Sequence, residues 1–198
     1  MTELSPTVSQ QILQTATRLF ISSGYHGLAM REIAEAAGVS KAALYYHFKD
    51  KEALFMAILN GALAQLDQAI QQTRQLPTLR GQVTLFTAAI FEWPPEQRAI
   101  IRLANQEMEH LSEQGVAEFG KLYHAKFIAP VQQLLADGIA RGEMQPMEAS
   151  TATWLLLGMM YPFLNSPHAN DPAASKAVAQ AIVTTFFDGL GRTPAEQG

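Results

Sequence analysis

A chain of 198 residues, 48% apolar and 16% charged, can build a full core and carries less charge than the roughly 25% of an average soluble domain, so apolar surface should remain for an oligomer contact. The lack of cysteine excludes disulfides, thiolate metal sites and a cysteine nucleophile, and suits a cytoplasmic protein. The net charge of −4, with five basic and five acidic side chains in residues 1–53, supplies none of the basic footprint that announces a nucleic-acid partner.

Ser5-Pro6 reads as an N-cap followed by proline at the first helical position. The helix it opens sets Val8, Ile12, Leu13, Ala16, Leu19 and Phe20 at helical spacing and ends at Gly24. A short second helix lines Met30, Ile33, Ala34 and Ala37 on one face and stops at Gly38, the residue able to turn left-handed. Ser40 caps a third, in which Leu44 and Phe48 point inward while Ala42, Tyr45, Tyr46 and Lys49 point outward. Asp50 caps a fourth, which carries Leu54, Phe55, Ile58, Leu59, Ala62 and Leu66 and is stopped by Pro77.

Beyond Pro77 every periodic segment is helical and no alternating run supports a sheet. The expected helices are Leu79 to Phe91, Pro95 to Ser112, Val116 to Arg141 with a bend or split at Pro130, Met147 to Leu164, and Pro172 to Leu190. Their breaks fall at Pro94, Gly115, Gly142, Pro146, Pro162 and Pro167. The fold class is all-α: an N-terminal three-helix helix-turn-helix domain (1–53) and a helical bundle for ligand binding and dimerisation (54–198), connected by helix 54–75. The longest apolar run, Ala152 to Leu164, is shorter than the ~20 residues of a membrane span and contains Pro162. No basic residue precedes Arg18, so neither a signal peptide nor a membrane partner is expected.

Two short helices joined by Gly38-Val39-Ser40 and braced by a preceding helix form a helix-turn-helix, whose second helix has the size to enter a major groove. Helical hairpins with a glycine turn are common in bundles, so this geometry does not decide function. The outward face says more. Tyr45 and Tyr46 are 100° apart and cannot both join Leu44 and Phe48 in the core. Tyrosine hydroxyls, Lys49 and Lys51 are donors to phosphate oxygens, while the small Ala42 and Ala43 let the backbone approach base edges.

Ile12-Leu13, Ala16, Leu19-Phe20, Gly24-Tyr25 and the run from Arg31 to Phe55, centred on Ala37-Gly38-Val39-Ser40-Lys41 and Leu44-Tyr45-Tyr46-His47-Phe48, closely resemble the signature of the TetR family over residues 8–59. The resemblance implies a transcriptional repressor, a homodimer on operator double-stranded DNA, with Arg31, Lys41 and Ala42 reaching bases and Tyr45, Tyr46, His47 and Lys51 holding the backbone. One position departs: Leu28-Ala29 stands where the family usually has a Ser or Thr that caps the second helix. Losing such a cap typically costs ~1 kcal/mol, with His26 or the Gly27 backbone in a position to compensate. Blander roles exist for several of these residues: an Arg31–Glu35 pair worth ~0.2–0.5 kcal/mol, solvated charges at Lys49 and Lys51, and an edge-packed His47.

A catalytic alternative rests on Glu107 and His110, the Glu-x-x-His spacing of di-iron bundles, but such a site needs two pairs and Glu118 and His124 do not supply the second. Nucleotide-binding glycine loops, HExxH and GxSxG are absent, so no enzyme, cofactor, metal or catalytic residue is expected. A plain protein-interaction module would leave Tyr45 and Tyr46 unexplained. For a small, largely apolar effector the expected lining is Phe86, Ile90, Trp93, Leu103, Met108, Tyr123, Phe127, Trp154 and Tyr161. Asn105, Gln106, His110 and His124 would orient it, and Arg98, Arg102, Lys121 or Lys126 would anchor an acidic head. The family pattern implies dimer contacts by the last two helices, with Ala152, Leu156, Met159 and Met160 facing Val178, Ile182, Phe186 and Phe187 of a second copy.

Overall fold

The computed structural model describes residues 7–164 and 171–189, the side chains of Asn105 and Glu109 excepted. Among them every regular element is helical: α1 (Val8–Ser23), α2 (Met30–Ala36), α3 (Lys41–His47), α4 (Lys51–Thr73), α5 (Leu79–Phe91), α6 (Pro95–Glu107), α7 (Glu113–Tyr123), α8 (Ala129–Ala140), α9 (Ala149–Leu164) and α10 (Pro172–Asp188). A 3-10 turn, Met108–His110, follows α6, and a π-helical stretch, His124–Ile128, leads from α7 into α8 without an intervening loop. The expected bend at Pro130 takes this form. Proline has no N–H and its ring crowds the carbonyl four residues back, and the wider π turn relieves both.

Caps decide most boundaries, and three starts differ from expectation. The first helix begins at Val8, capped by Thr7, whose hydroxyl accepts from Gln10 N–H while the Gln10 side chain accepts from Thr7 N–H. That leaves Val8 exposed at the helix tip rather than buried. The seventh helix begins at Glu113, not Val116, because Ser112 caps it and Gly115 lies within its first turn instead of breaking it. The ninth begins at Ala149, not Met147. Ser5-Pro6 and the expected end at Leu190 lie outside the described residues.

The chain forms two compact units. One comprises residues 1–67 with 94–127, the other 68–93 with 128–198. The contact boundary therefore differs from a division at residue 53, because α6 packs along α1 and brings residues 94–127 into the first unit. That unit is organised by Phe20, Tyr25 and Phe55, whose ring centroids lie 5.1–5.8 Å apart. Phe20 and Phe55 have no exposed surface. Truncating a ring of this kind typically costs about 3–5 kcal/mol, so the cluster firmly joins α1 to the start of α4. α4 has the length and hydropathy of a membrane-spanning helix, yet Leu54, Phe55, Leu59, Leu63, Leu66 and Ile70 are buried, as in the core helix of a folded domain.

In the second unit α5 lies along α10, and α8 and α10 both pack on α9. Ala152, Leu156, Met160 and Ile182, expected to meet a second copy, are instead buried within the chain. The bare faces carry Trp154, Leu155, Gly158 and Pro162 on α9 and Ala177 and Ala181 on α10. The hydrophobic pattern of α9 is nearly continuous around the helix, and packing alone selects the face turned inward.

The start of α5 depends on one distant carboxylate. Glu143 accepts from Leu79 N–H at 2.5 Å and from Arg141 Nε at 2.5 Å, and these bonds hold its pKa below the ordinary glutamate value. A carboxyl with a lowered folded pKa contributes stability above its unfolded pKa, and that contribution is lost as pH falls through the folded value. Glu143→Gln should thus lower Tm at neutral pH and converge with the wild type well below pH ~4, a crossing readable in thermal melts across an acid series.

Candidate nucleic-acid interface

The turn between α2 and α3 is built from its own sequence. Gly38 adopts φ +64°, a region L side chains avoid, and Val39 N–H donates back to Ala34 carbonyl at 3.0 Å, closing α2 in a Schellman-like turn. The Gln11 side chain on α1 donates to Ala37 carbonyl at 2.8 Å, tying the turn to the preceding helix. Ser40 Oγ accepts from Ala43 N–H and Asp50 Oδ1 accepts from Ala53 N–H, capping α3 and α4 as expected. Ile33, Ala34, Leu44 and Phe48 are buried beneath the hairpin.

The residues expected at DNA share the outer side of this hairpin. Arg31, Lys41, Ala42, Tyr45, Tyr46 and His47 are exposed, Tyr46 at 86% of its full surface, and Ala43 is half-buried. No carboxylate comes within ion-pair distance of Arg31 among the described residues, so its guanidinium points to solvent without the Glu35 pairing. Lys41 lies 5.8 Å from the Tyr45 ring centroid, and the Tyr46 and His47 rings meet edge to face at 5.2 Å. Lys49 is 3.9 Å from Asp50, its neighbour in sequence, and both are too exposed for the pair to carry weight. Such a face offers one fork donor, one ammonium, two phenols and an imidazole around small residues that permit close approach.

Lys51 has a second occupation. Its ammonium donates to the carbonyls of Tyr25 at 2.7 Å and Leu28 at 3.0 Å and sits 4.4 Å from the Tyr25 ring centroid. One of its three protons remains for a phosphate. Burial, reinforced by Glu52 and Asp50, raises the pKa of the Tyr25 phenol. Ala29 provides no side-chain cap for α2. Glu32 serves in part, accepting from Ala29 N–H at 2.7 Å, while neither His26 nor Gly27 makes a capping hydrogen bond there among the described residues. Sequence reasoning did not assign that role to Glu32, although its position three residues after the missing hydroxyl is the capping-box signal.

The nine residues expected to line an effector site fall into two groups. Phe86, Ile90, Trp93, Trp154 and Tyr161 belong to the second unit, Leu103, Met108, Tyr123 and Phe127 to the first. Phe86, Ile90, Leu103 and Phe127 are buried, whereas Trp154 is 55% exposed on the bare face of α9. None of the nine lines the groove of about 380 Å³ between α5 and α10, which is bounded by Arg80, Thr84, Ala88, Phe91, Lys176 and Val183. Thr87, unremarked in the sequence, is fully buried on α5 and its hydroxyl has no hydrogen-bond partner among the described residues. Arg98 is buried on α6, where desolvation lowers its pKa. Among the described residues no three metal-ligating side chains converge, and Glu107 and His110 lie 3.8 Å apart as a local pair.

A chain that is helical throughout its described residues and presents a seven-residue helix with two exposed tyrosines after a left-handed glycine turn defines a helix-turn-helix DNA-binding protein. Residues 12–58 match the family model for bacterial regulatory proteins of the tetR family. The HTH-type transcriptional regulator UidR of Escherichia coli K12 is 28% identical over 186 residues, 91% of each chain. The crystal structure of PfmR from Thermus thermophilus superposes with a TM-score of 0.82 at 24% identity, over 96% of this chain and 100% of that one. FadR from Bacillus subtilis, solved with stearoyl-CoA, gives 0.76 at 19%, over 91% and 98%. Residues 12–58 thus belong to the tetR family of bacterial regulatory proteins, and the chain as a whole is similar to an HTH-type transcriptional regulator.

The hydrogen bonds of Lys51 give it a role in the fold that can be measured apart from DNA. Lys51→Ala leaves two carbonyls without their donor and should cost about 1–3 kcal/mol of stability in urea unfolding. A lysine used only for phosphate would leave the unfolding midpoint where it is.

Proposed function

We propose that this regulator is a cytoplasmic homodimeric repressor that occupies a palindromic operator and is released by a small, largely apolar effector of the acyl type. The observation that carries the DNA half is the bare face of Arg31, Lys41, Ala42, Tyr45, Tyr46 and His47 on a hairpin whose apolar side is fully used. Arg31, Lys41 and Ala42, with Ala43 beside them, read bases, while Tyr45, Tyr46, His47 and the remaining proton of Lys51 hold phosphates. Two-fold symmetry then requires two equivalent half-sites. The DNA-binding role belongs to residues 1–53 and effector binding and dimerisation to 54–198.

Support for the effector half is of two kinds. Stearoyl-CoA is bound by FadR, whose fold this chain shares. The unpaired hydroxyl of Thr87 in an apolar core is the single polar anchor that an acyl carbonyl needs, and leaving it unpaired costs about 1–3 kcal/mol. Phe86 and Ile90 flank it on α5. Weakening the operator a hundredfold requires ~2.7 kcal/mol of differential effector affinity, and the operator must weaken the effector equally. α4 begins in the first unit and ends in the second, which suits it to carry the change.

Selection from a random DNA pool should return a palindrome, and a long-chain acyl compound should release it. Arg31→Ala should then lose about tenfold or more on the selected site and relax one base position while changing random-sequence binding little. Asymmetric sites, or equal loss on both kinds of DNA, would refute the assignment. The dimer is tested on its own: Trp154→Glu on the bare face of α9 should yield monomers in analytical ultracentrifugation and abolish cooperative operator binding.

A further inference from the structure

Lys51 and Glu52 are successive residues of the first turn of α4 and reach in different directions. Lys51 holds the carbonyls that lead into α2. The Glu52 carboxylate accepts from Ser112 N–H at 3.1 Å and from Ser112 Oγ at 2.5 Å, across 60 residues of sequence. Ser112 Oγ in turn accepts from Gly115 N–H at 3.0 Å as the N-cap of α7. The approach is tight: a Cβ on Gly115 would fall well inside contact distance of Glu52 Oε1. Nearby, His26 in the α1–α2 loop meets His110 edge to face at 4.0 Å. The stretch from His110 to Gly115 thus touches the helix-turn-helix at both ends of its supporting frame.

We propose that Glu52 is a positioning residue for operator binding, locking the first turn of α4, and with it the hairpin of α2 and α3, to the start of α7 through Ser112 and Gly115. The inference rests on the hairpin being the operator-binding surface. Two features make the contact a latch rather than a passive support. A carboxylate at a capped helix start is a charge-assisted arrangement with fixed direction, so it specifies an angle as well as a distance. It also borders an open cleft of about 420 Å³ lined by Lys49, Met56, Gln114 and Glu118, so water replaces its hydrogen bonds when it opens and the opening costs little. A shift at the start of α7 therefore reaches the DNA-reading helices through one side chain. Capping of α7 by Ser112 alone would need neither Glu52 nor a glycine at position 115.

The test is epistasis in operator affinity, measured by fluorescence anisotropy on the site selected by the wild-type dimer, with thermal melts in parallel. Glu52→Ala and Ser112→Ala should each weaken the operator about tenfold, the size of one charge-assisted hydrogen bond, and together no more than either alone. Gly115→Ala should weaken it similarly in the wild type and add nothing in Glu52→Ala, where the clash is gone. Glu52→Asp retracts the carboxylate by one methylene and should restore much of the affinity lost by Gly115→Ala, a comparison that holds even if Glu52→Ala proves too unstable to assay. Melting temperatures should move little, which separates positioning from unfolding. Affinities within about twofold of the wild type for all three single variants, or losses that simply add, overturn the latch while leaving the DNA-binding reading intact. A wild-type dimer that selects no sequence at all overturns both.

Discussion

The ammonium group of Lys51 sits at the junction on which the DNA-facing half of the molecule depends. Its two carbonyl acceptors, Tyr25 and Leu28, close the loop that delivers the chain into α2, and the Tyr25 ring beneath it belongs to the cluster with Phe20 and Phe55. One cation therefore joins a loop, an aromatic core and the first turn of α4. Such a loop contains no secondary structure of its own, and carbonyls in a half-buried turn need a donor from somewhere. A lysine from the next long helix provides it without lengthening the loop.

The consequence is a recognition unit that needs little charge. α2 and α3 have seven residues each, far too few to persist alone in water, and they are held by Ile33, Ala34, Leu44 and Phe48 beneath them. Since packing supplies the stability, the outer face is free to carry exposed phenols, an imidazole, Arg31 and Lys41. A neutral domain with so few cations offers phosphates little charge, and that leaves specificity to shape and base contact. The apolar face of α9 with the small residues of α10 suits a contact with a second copy, since Trp154 is 55% and Leu155 50% exposed among the described residues.

In the second unit polar groups are equally sparse along α5. Thr87 is a single hydroxyl in a helix otherwise facing inward with Val83, Phe86, Ile90 and Phe91. Its isolation has a thermodynamic cost, since a buried hydroxyl without a partner has given up its hydrogen bonds to water. In the groove between α5 and α10 the Arg80 guanidinium is already engaged: it pairs with Asp188 and lies over the Phe187 ring.

Sequence alone determined whatever depends on neighbours within one or two turns. Ser40 and Asp50 as caps, Gly38 as the left-handed residue, Leu44 and Phe48 as the inner face of α3, and the span Leu79–Phe91 all follow from hydrogen bonds and periodicities that close within four residues. The outward set from Arg31 to His47 was legible for the same reason, since what faces out of a short helix is the complement of what faces in. Tertiary structure decided the rest. Lys51 reaches back 26 and 23 residues to its carbonyls, and Glu52 reaches forward 60 to Ser112. Gly115 looked like a helix break because the carboxylate that requires a glycine there comes from another part of the chain. On α9 the apolar pattern runs almost all round, so no local rule could assign Leu156 to the core and Trp154 to the surface. Only packing against neighbouring helices makes that choice, and it is a contact between segments that no short window of sequence contains.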